Sequence, residues 1–600
     1  MLLLVCPSAA AANRRLAWSA LALLHVCAVA AGAQTVPPAR ESVTVTGTVA
    51  PVPFDALARP VYVIEAEDLA RLPVGSIAEA LALLAPIDVR SRGVGGVQTD
   101  FSVRGAAFSQ TLVLVDGVRI NDAQSGHHNG DIPVPLDEIE RIEVLAGPGS
   151  SLHGADALGG TINIVTKRGG EPARLEGAVG SFDTFEGRAR MDWGRAALAG
   201  EVAHSGGFMP ARDYTTATVS ARAHPGRGLV ARLAFLDREF GANGFYGPSP
   251  SREWTSQWLA SLEQPRMSAG PWTLAWRAAA RSHRDRFLWD ETRPGVLENL
   301  HRSHAVTGSL HAERALAGST RVTVGVEGGG DWVRSTNLGD HEYARGAVSG
   351  QLLHRRGRAF VSPALRIDGY SRFGSAVSPS LAAGAWLGRV KLRAGAGHAF
   401  RVPTFTELNY RDPNHEASGA LKPERAWSAE AGADWLGARW QLGATGFLRV
   451  ERDVIDWVRE SPADRWRTMN IRRATTRGIE LTARRNVGAA RTAFQYAWLD
   501  TRAPDVGLLS KYVLDFARHR VAASVAAPLG SKTNLGIRLS GTRRVDGRAY
   551  TLVDARIARR IGGMEFVLDA RNLLDERYQE ISGVDMPGRS ARIALQWSAR

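Results

Sequence analysis

Phe101–Lys167 contains four motifs that decide the fold: FSVRG from Phe101, QTLVLVDGVRIND from Gln110, IERIEVLAGPGSSLHG from Ile139 and ALGGTINIVTK from Ala157. Short runs of aliphatic and β-branched residues in these motifs are separated by turns that contain glycine. The runs are too short for ordinary helices and have the composition of buried strands. The pattern predicts a compact mixed α/β domain in this part of the chain.

The neighbouring residues extend this domain from Val61 to Lys167. Ser76 precedes Glu79 with capping-box spacing, which predicts that a helix begins there and ends before Pro86. Ser150 is predicted to cap a second short helix. The predicted strands are Val61–Ile64, Ile87–Arg90, Phe101–Arg104, Thr111–Val115, Val118–Ile120 and Thr161–Lys167.

The N-terminal residues 1–33 have the pattern of an export signal. Arg14 and Arg15 precede an apolar run, and Ala31-Gly32-Ala33 has the small-x-small pattern of a cleavage site. The mature chain is therefore predicted to begin at Gln34. Both cysteines, at positions 6 and 27, fall within the signal, so neither disulfides nor thiolate sites are expected after cleavage.

The remainder of the chain, from residue 169, alternates apolar and polar residues in many short segments. In one of them, Ile479 and Leu481 alternate with Glu480 and Thr482, and the segment that contains Trp597 repeats the pattern. No segment after the signal has the ~18 consecutive apolar residues of a membrane-spanning helix. A soluble β-sandwich would bury the apolar face, whereas a barrel would turn it to lipid. The number of segments and the export signal favour the barrel, with room for about 22 strands at about 20 residues each.

Composition and motifs argue against two classes of function. The formal net charge is +14, but the arginines are scattered along the chain, whereas nucleic-acid binding needs basic residues in a cluster. The motifs H-E-x-x-H and G-x-S-x-G and a lysine-bearing phosphate loop are absent from the sequence. We therefore expect neither a nucleic-acid-binding protein nor an enzyme. A passive porin or an adhesin is a further alternative.

Three further motifs complete a likeness to a known family: FRVPTFTEL at Phe400–Leu408, LKPE at Leu421–Glu424 and NLLD at Asn572–Asp575. The sequence resembles the TonB-dependent outer-membrane receptors, and in particular their cobalamin-receptor branch. The resemblance implies an all-β fold, in which a 22-stranded antiparallel transmembrane β-barrel holds an N-terminal mixed α/β plug domain in its lumen. It also implies the outer membrane of a Gram-negative bacterium. The implied domains are a signal peptide (1–33), a TonB box and linker (34–55), the plug (56–168) and the barrel (169–600).

The segment ESVTVTG, soon after the signal, alternates β-forming residues behind an acidic residue. This pattern is suited to adding a strand to the sheet of another protein, and a disordered linker is the alternative. The resemblance identifies the segment as the TonB box, which the inner-membrane TonB complex binds. Other implied partners are a small-molecule ligand, lipopolysaccharide and outer-membrane lipid, and a monomer is expected. The residues of the box are Glu41, Ser42, Val43, Thr44, Val45 and Thr46.

Capture of a ligand outside has to be coupled to the TonB box inside. Charged contacts between plug and barrel are suited to this coupling, because they exchange partners more readily than a dry core does. A static salt bridge or a solvated lumen residue is the alternative for each candidate. The candidates are Arg104, Arg141 and Glu143 in the plug and Glu407 and Glu424 in the barrel.

By the resemblance, plug loops 91–100 and 121–131 face outside. The adjacent His127 and His128 could ligate a metal or hydrogen-bond a large polar ligand. Adjacent side chains of an extended chain point to opposite sides, so hydrogen bonding is the default and no bound metal is expected. Phe240–Gly247 is predicted to be an exposed barrel loop with aromatic faces for stacking. The candidate ligand-binding residues are Arg92, Gln98, Gln124, His127, His128, Asn129, Phe245 and Tyr246.

These observations predict TonB-dependent active transport of a scarce nutrient across the outer membrane. The expected ligand is cobalamin or a related vitamin or metal chelate. Uptake of a ferric siderophore or of a free metal ion is the alternative. In each case the cobalamin or ferric chelate is a transported ligand and not a permanently bound cofactor.

Overall fold

The computed structural model describes residues 43–44, 52–53, 57–503 and 507–599. The predicted signal peptide and most of the predicted TonB box lie outside these residues. Of the box only Val43–Thr44 is described, as a short strand paired antiparallel with Val52–Pro53. Among the described residues, none of the helices has the length and apolar character that are needed to cross a bilayer.

The plug, residues 57–166, is built on a five-stranded mixed sheet. Thr111–Val115 runs parallel to Gly160–Thr166, and the other neighbouring strands are antiparallel. A separate two-stranded sheet pairs Ile87–Ser91 with Thr99–Val103. In spatial order the five strands are Val61–Glu65, Ile139–Ala146, Gly160–Thr166, Thr111–Val115 and Val118–Arg119.

The plug helices are short, and one of their two predicted serine caps is present. The amide of Glu79 donates to the hydroxyl of Ser76 at 3.2 Å, which confirms the predicted cap. The predicted Ser150 cap is wrong, since Gly149 holds the N-cap position and the Ser150 hydroxyl accepts a hydrogen bond from the barrel residue Phe400 at 3.3 Å. The plug helices are Ala66–Arg71, Ile77–Leu81 and Ser150–His153, with 3-10 helices at Phe108–Gln110, Gly126–Gly130 and Leu136–Glu138.

The plug has an apolar core of its own. Side chains from both of its sheets and from the helix Ile77–Leu81 pack together away from solvent. This burial makes the plug a folded domain and not a loop that merely fills the barrel. Fully buried members of the core are Leu81, Ile87, Val103, Val113, Ile120, Ile142, Ile162 and Ile164.

Twenty-two long antiparallel strands form a barrel around the plug, which closes where Arg174–Gly180 pairs with Ser590–Ser598. The predicted fold class is therefore confirmed within the described part of the chain. The loops add a helix, Phe405–Asn409, and short strands at Arg411–Asp412, His415–Glu416 and Leu509–Ser510. The remaining barrel strands are Thr184–Asp192, Ala196–Ser205, Tyr214–Gly226, Leu229–Gly241, Arg252–Ala269, Trp272–Leu288, Glu298–Ala315, Ser319–Ser335, His341–Arg356, Ala359–Tyr370, Gly374–Leu387, Val390–Arg401, Glu424–Leu436, Trp440–Arg459, Trp466–Val487, Ala490–Arg502, Ala517–Pro528, Thr533–Arg544, Ala549–Ile561 and Met564–Arg571.

The barrel is apolar outside and charged inside. Ile479 is 47% exposed while its neighbour Glu480 is 2% exposed, and Leu568 is 44% exposed while Asp569 is fully buried. A water-soluble protein would have the opposite distribution, because exposed apolar surface is unfavourable in water. The predicted alternation is thus confirmed, and the outer wall is suited to contact with lipid.

The two ends of the barrel differ in the length of their connections. At one end the strands are joined by short turns such as 270–271 and 562–563, and at the other by longer loops such as 402–423 and 572–589. Bacterial outer-membrane barrels have short periplasmic turns and longer extracellular loops. The long-loop end therefore corresponds to the outside of the cell.

We predict that Gly159→Ala loosens the plug without opening the barrel. A Cβ atom at position 159 would lie 2.7 Å from the backbone oxygen of Val103, and rigid backbone cannot move away as a flexible side chain can. Overpacking of this kind costs about 1–3 kcal/mol. Hydrogen exchange should accelerate in Thr99–Val103 and Gly160–Thr166, while heat-resistant migration of the barrel on gels stays unchanged.

Gly177→Ala is the matched control, because a Cβ atom there meets no atom within 4 Å. Equal exchange rates in the two variants would contradict the prediction.

Candidate functional site

Arg104 of the plug forms a compact ion-pair cluster with the barrel wall. Its guanidinium donates to both carboxylate oxygens of Glu480 at 2.8 and 2.7 Å and to Glu430 at 2.7 Å. The Tyr62 hydroxyl donates to Glu480 at 2.7 Å, from the plug side. Burial alone would lower the pKa of Arg104, but Glu480 and Glu430 outweigh it and raise that pKa. We call Arg104, Glu430 and Glu480 the lock cluster.

The backbone of Arg104 is held in an unusual conformation, with φ of 53°. A non-glycine residue in this left-handed region is strained unless its surroundings hold it there. The ion pairs to Glu430 and Glu480, and a hydrogen bond that the Arg104 carbonyl accepts from Arg449 at 3.2 Å, provide such surroundings. The conformation of the plug backbone at this point therefore depends on the barrel.

The other predicted plug–barrel residues have mixed surroundings. Glu424 accepts from Gln110 of the plug at 2.9 Å and also pairs with Arg401 of the barrel. The Glu407 side chain pairs with Arg401 and caps the helix Phe405–Asn409, so its contacts are within the barrel. Backbone amides of that helix, at Phe405 and at residue 406, do bond to the plug carbonyls of residues 123 and 124.

Arg141 and Glu143 lie inside the plug. Arg141 donates to Glu143 at 2.7 Å and pairs with Glu140, so its described ion pairs do not reach the barrel. Both residues belong to the strand Ile139–Ala146, which lies between two other strands of the plug sheet. For Arg141 the sequence-based prediction of a barrel contact is therefore corrected.

An aromatic surface lies at the long-loop end, where the plug meets the loops. The rings of Phe108 and His127 stack at 4.2 Å between centroids, and Tyr512 packs edge-on to Phe108 at 5.2 Å. The Nδ1 atom of His127 is 2.8 Å from Asp100. Burial lowers the pKa of His127, although Asp100 opposes this shift. The ring therefore favours the neutral form, which can stack and hydrogen-bond.

Tyr246 extends this surface from the barrel side. It is 39% exposed, hydrogen-bonds to Gln98 and lies beneath the guanidinium of Arg92, 5.9 Å from the ring centroid. Phe245, in contrast, is only 7% exposed, so the prediction that it offers an exposed stacking face is wrong. The loop folds back over the plug, which packs Phe245 into an apolar cluster with Val97 and under Arg212.

His127 and His128 point to opposite sides, as expected for adjacent residues. His128 lies beneath the surface, where its ring is 4.6 Å from that of His283 and its Nε2 atom is 3.3 Å from Asp285. Burial alone would lower the pKa of His128, but Asp285 and hydrogen bonds to Asp131 and Asp285 raise it well above its ordinary value. The two adjacent histidines therefore do not share a site.

The remaining candidates are buried close to His128. Gln124 donates to Asp285 at 2.8 Å, and the Asn129 side chain accepts from the backbone of Asp122 at 3.2 Å. All eight predicted ligand residues thus lie at the long-loop end, but only His127 and Tyr246 retain appreciable exposure. We call Phe108, His127, Tyr246 and Tyr512 the mouth surface.

A polar cleft opens beside the mouth surface, between plug and barrel. Sequence reasoning missed this cleft and missed Phe108 and Tyr512. Phe108 lies between two of the plug motifs, and nothing local indicates that Tyr512, about four hundred residues away, packs against it. The cleft is lined by Ser109, Arg119, Asn121, Asp122, Asp156, Tyr343, Arg345, Tyr370 and Arg401, among others.

Two family models match the chain. The model of the TonB-dependent receptor plug domain matches residues 55–161, and that of the TonB-dependent receptor-like β-barrel matches residues 193–573. A vitamin B12 transporter, BtuB of Photobacterium profundum, is 26% identical over 578 residues, which cover 88% of this chain and 90% of the relative.

Solved structures show the same fold. The siderophore receptor PirA from Acinetobacter baumannii has a TM-score of 0.74 at 16% identity and covers 90% of this chain and 98% of its own. The FrpB iron transporter from Neisseria meningitidis has a TM-score of 0.73 at 14% identity, covering 90% and 99%. At these identities the likeness concerns the fold and not the ligand.

We predict that Glu480→Gln releases part of the plug from the barrel wall. The substitution keeps the size of the side chain but leaves Arg104 with one carboxylate in place of two. Removing one partner of a buried ion pair costs about 3 kcal/mol or more. Hydrogen exchange of Val61–Glu65 and Thr99–Val103 should therefore accelerate about a hundredfold.

Glu298→Gln serves as the control, because its pair with Arg286 is exposed on both sides. Exposed pairs contribute about 0–1 kcal/mol, so exchange in the plug should stay near the wild-type rate. If Glu480→Gln also leaves exchange unchanged, the lock cluster does not hold the plug.

Proposed function

The chain belongs to the family of TonB-dependent receptors, outer-membrane β-barrel proteins that transport ligands, and on this basis we propose that its ligand is cobalamin. One observation carries the choice of ligand: the sequence likeness to a vitamin B12 transporter extends along nearly the whole of both chains. The likeness to siderophore and iron receptors rests on the fold alone.

The chemistry of the mouth surface supports a large and nearly neutral ligand. Cobalamin has a broad ring with apolar faces and a rim of amides, which suits aromatic stacking together with hydrogen bonding. The partly exposed rings of His127 and Tyr512, which pack on the buried ring of Phe108, are suited to stacking, and the hydroxyl of Tyr246 is suited to hydrogen bonding. The guanidinium of Arg92, beside Tyr246, is already paired with Asp100 at 3.1 Å and so is not a free cation for an anionic ligand.

A ferric siderophore is the second candidate ligand, and one cationic group favours it. The Lys511 ammonium lies 5.3 Å from the Tyr512 ring centroid and 5.8 Å from that of Trp466. A lysine beside two aromatic rings suits an anionic chelate with planar groups. A ferric siderophore would therefore bind mainly through Lys511, whereas cobalamin would bind mainly through the neutral rings.

The plug explains why transport through this barrel would need energy. A barrel filled by a folded domain has no open channel, so a bound ligand passes only if the plug moves. Ligand binding outside and TonB binding inside are reciprocally coupled, whichever event comes first. The ion pairs of the lock cluster are the contacts that a pull on the plug would have to exchange. In this proposal Glu41, Ser42, Val43, Thr44, Val45 and Thr46 form the segment that TonB grips.

Deleting Glu41–Gly47 should abolish uptake of radiolabelled cobalamin by whole cells while leaving cell-surface binding intact. The reason is that the deletion removes the strand-forming segment but none of the mouth surface. Val45→Pro should have the same effect, since proline cannot donate a backbone hydrogen bond to an added strand. Val45→Ile is the matched control and should transport normally. Uptake that survives the deletion would contradict energy coupling through this segment.

Calorimetric titration of the detergent-purified protein should show tight binding of cobalamin and weaker binding of ferric siderophores. Tyr512→Ala should weaken cobalamin binding about tenfold through the loss of one stacking face. Trp258→Ala, on the outer wall and 48% exposed, should leave the affinity unchanged. Tight siderophore binding that is lost in Lys511→Ala, without cobalamin binding, would establish the second candidate instead.

A further inference from the structure

A cluster of histidines and carboxylates lies beneath the mouth surface, where plug and barrel meet. His128 and Asp131 come from the plug, and His283 comes from the barrel strand Trp272–Leu288. One ligand atom from each of the three lies within 4.8 Å of the others. His128 also belongs to a second such group, with Glu253 and Asp285 of the barrel. All five side chains are buried.

The distances within the cluster are those of ligands around a single ion. The Oδ2 atom of Asp131 is 3.0 Å from His283 Nε2 and 3.6 Å from His128 Nδ1. In a tetrahedral site with bonds of about 2.0–2.1 Å, neighbouring ligand atoms are about 3.3–3.4 Å apart. The two distances from Asp131 therefore differ from the tetrahedral value by a few tenths of an ångström.

The second nitrogen of each histidine faces a carboxylate. His128 Nε2 is 3.3 Å from Asp285, and His283 Nδ1 is 3.3 Å from Asp122. Metal-binding histidines commonly present their other ring nitrogen to a carboxylate, which fixes the ring and makes it a stronger ligand. Both His128 and His283 show this arrangement, and both rings also lie beside Asp131.

The charge of the cluster is not balanced by side chains. Arg281 pairs with Asp122 at 2.8 Å and Arg238 with Asp131 at 2.9 Å. Within the described part of the chain, no arginine or lysine forms an ion pair with Asp285 or Glu253. Asp285 has His128 as its basic partner, at 3.3 Å, whereas Glu253 has none among the described residues, and a divalent cation would compensate a buried carboxylate of this kind.

Unsatisfied polar atoms are a further and independent sign of a missing partner. His283 is fully buried, yet its Nδ1 atom has no hydrogen bond, and the same holds for Oδ1 of the buried Asp285. Buried polar atoms are normally paired, so each exception needs an explanation. Binding of an ion at Nε2 of His283 would fix its tautomer with a proton on Nδ1, directed at Asp122.

We propose that His128, Asp131 and His283 bind one divalent transition-metal ion of the zinc class. Two imidazole nitrogens and one carboxylate oxygen suit Zn²⁺ and its neighbours, whereas Ca²⁺ and Mg²⁺ prefer oxygen ligands throughout. Because the ligands come from both domains, the ion ties the plug to the barrel under the mouth surface. It is a resident ion, distinct from the transported ligand.

Metal titration of the full-length protein in detergent, after chelator treatment, tests the site. With Zn²⁺ in competition with a chromophoric chelator, the wild type should bind one equivalent, and His283→Gln and Asp131→Asn should each weaken binding at least a hundredfold. Co²⁺ should give the visible absorption of a tetrahedral site in the wild type only. Heat-resistant migration on gels verifies that each variant barrel is folded.

His127→Gln is the matched control, because it is the neighbouring histidine in the sequence but faces Phe108 and Tyr512. It should bind Zn²⁺ like the wild type. Bound Zn²⁺ should also slow hydrogen exchange in Gly126–Gly130, and His283→Gln should remove this effect. Absence of Zn²⁺ binding in the wild type, equal loss in His127→Gln, or preference for Ca²⁺ would overturn the proposal.

The metal site and the proposed cobalamin transport can fail separately. Cobalamin titrations on the same preparations should give equal affinities for the wild type and His283→Gln, since His283 is not part of the mouth surface. Zinc binding without cobalamin binding would leave the metal site standing and remove the proposed ligand. Cobalamin binding without zinc binding would support the proposed ligand and remove the metal site.

Discussion

The charge complementarity between the plug and the lumen is the constraint on which the rest of the structure depends. A lipid-facing wall must be apolar, and the two-residue period of a strand then leaves the inner face to polar side chains. In this barrel those side chains include many arginines and nearly as many carboxylates. Plug carboxylates meet the arginines: Asp88 pairs with Arg520 and Arg544, Asp122 with Arg281, and Asp131 with Arg238.

This interface explains how a folded domain can be held firmly and still be moved. Each pair buries charges whose desolvation is nearly as large as their attraction, so the pairs specify position more than they add stability. Arg104 reverses the usual polarity, since here the plug supplies the cation and the barrel the carboxylates of Glu430 and Glu480. Because several of these pairs span the same interface, displacing the plug would break them together.

Most of the fold could be predicted from patterns of neighbouring residues, but little of the site could. The alternation of Ile479 with Glu480 is a property of neighbouring residues, and together with the number of such segments and the export signal it predicted an apolar wall and a polar lumen. Side-chain partners, in contrast, depend on strand register across the barrel. Nothing near His128 indicates that His283 lies beside it, and the loop at Phe245 was predicted to be open because its contacts with the plug are not encoded locally.

The 3-10 helix Gly126–Gly130 carries one residue of the mouth surface and one residue of the plug–barrel interface. Its two histidines face different surroundings: His127 takes part in the mouth surface, and His128 lies among the barrel side chains His283 and Asp285. The two side chains leave this turn towards different neighbours, so each ring can rotate about its own side-chain bonds while the other keeps its contacts. The two sites therefore share one backbone segment but no side chain, and for this reason binding at the mouth surface and binding of a metal ion at His128 can be tested separately.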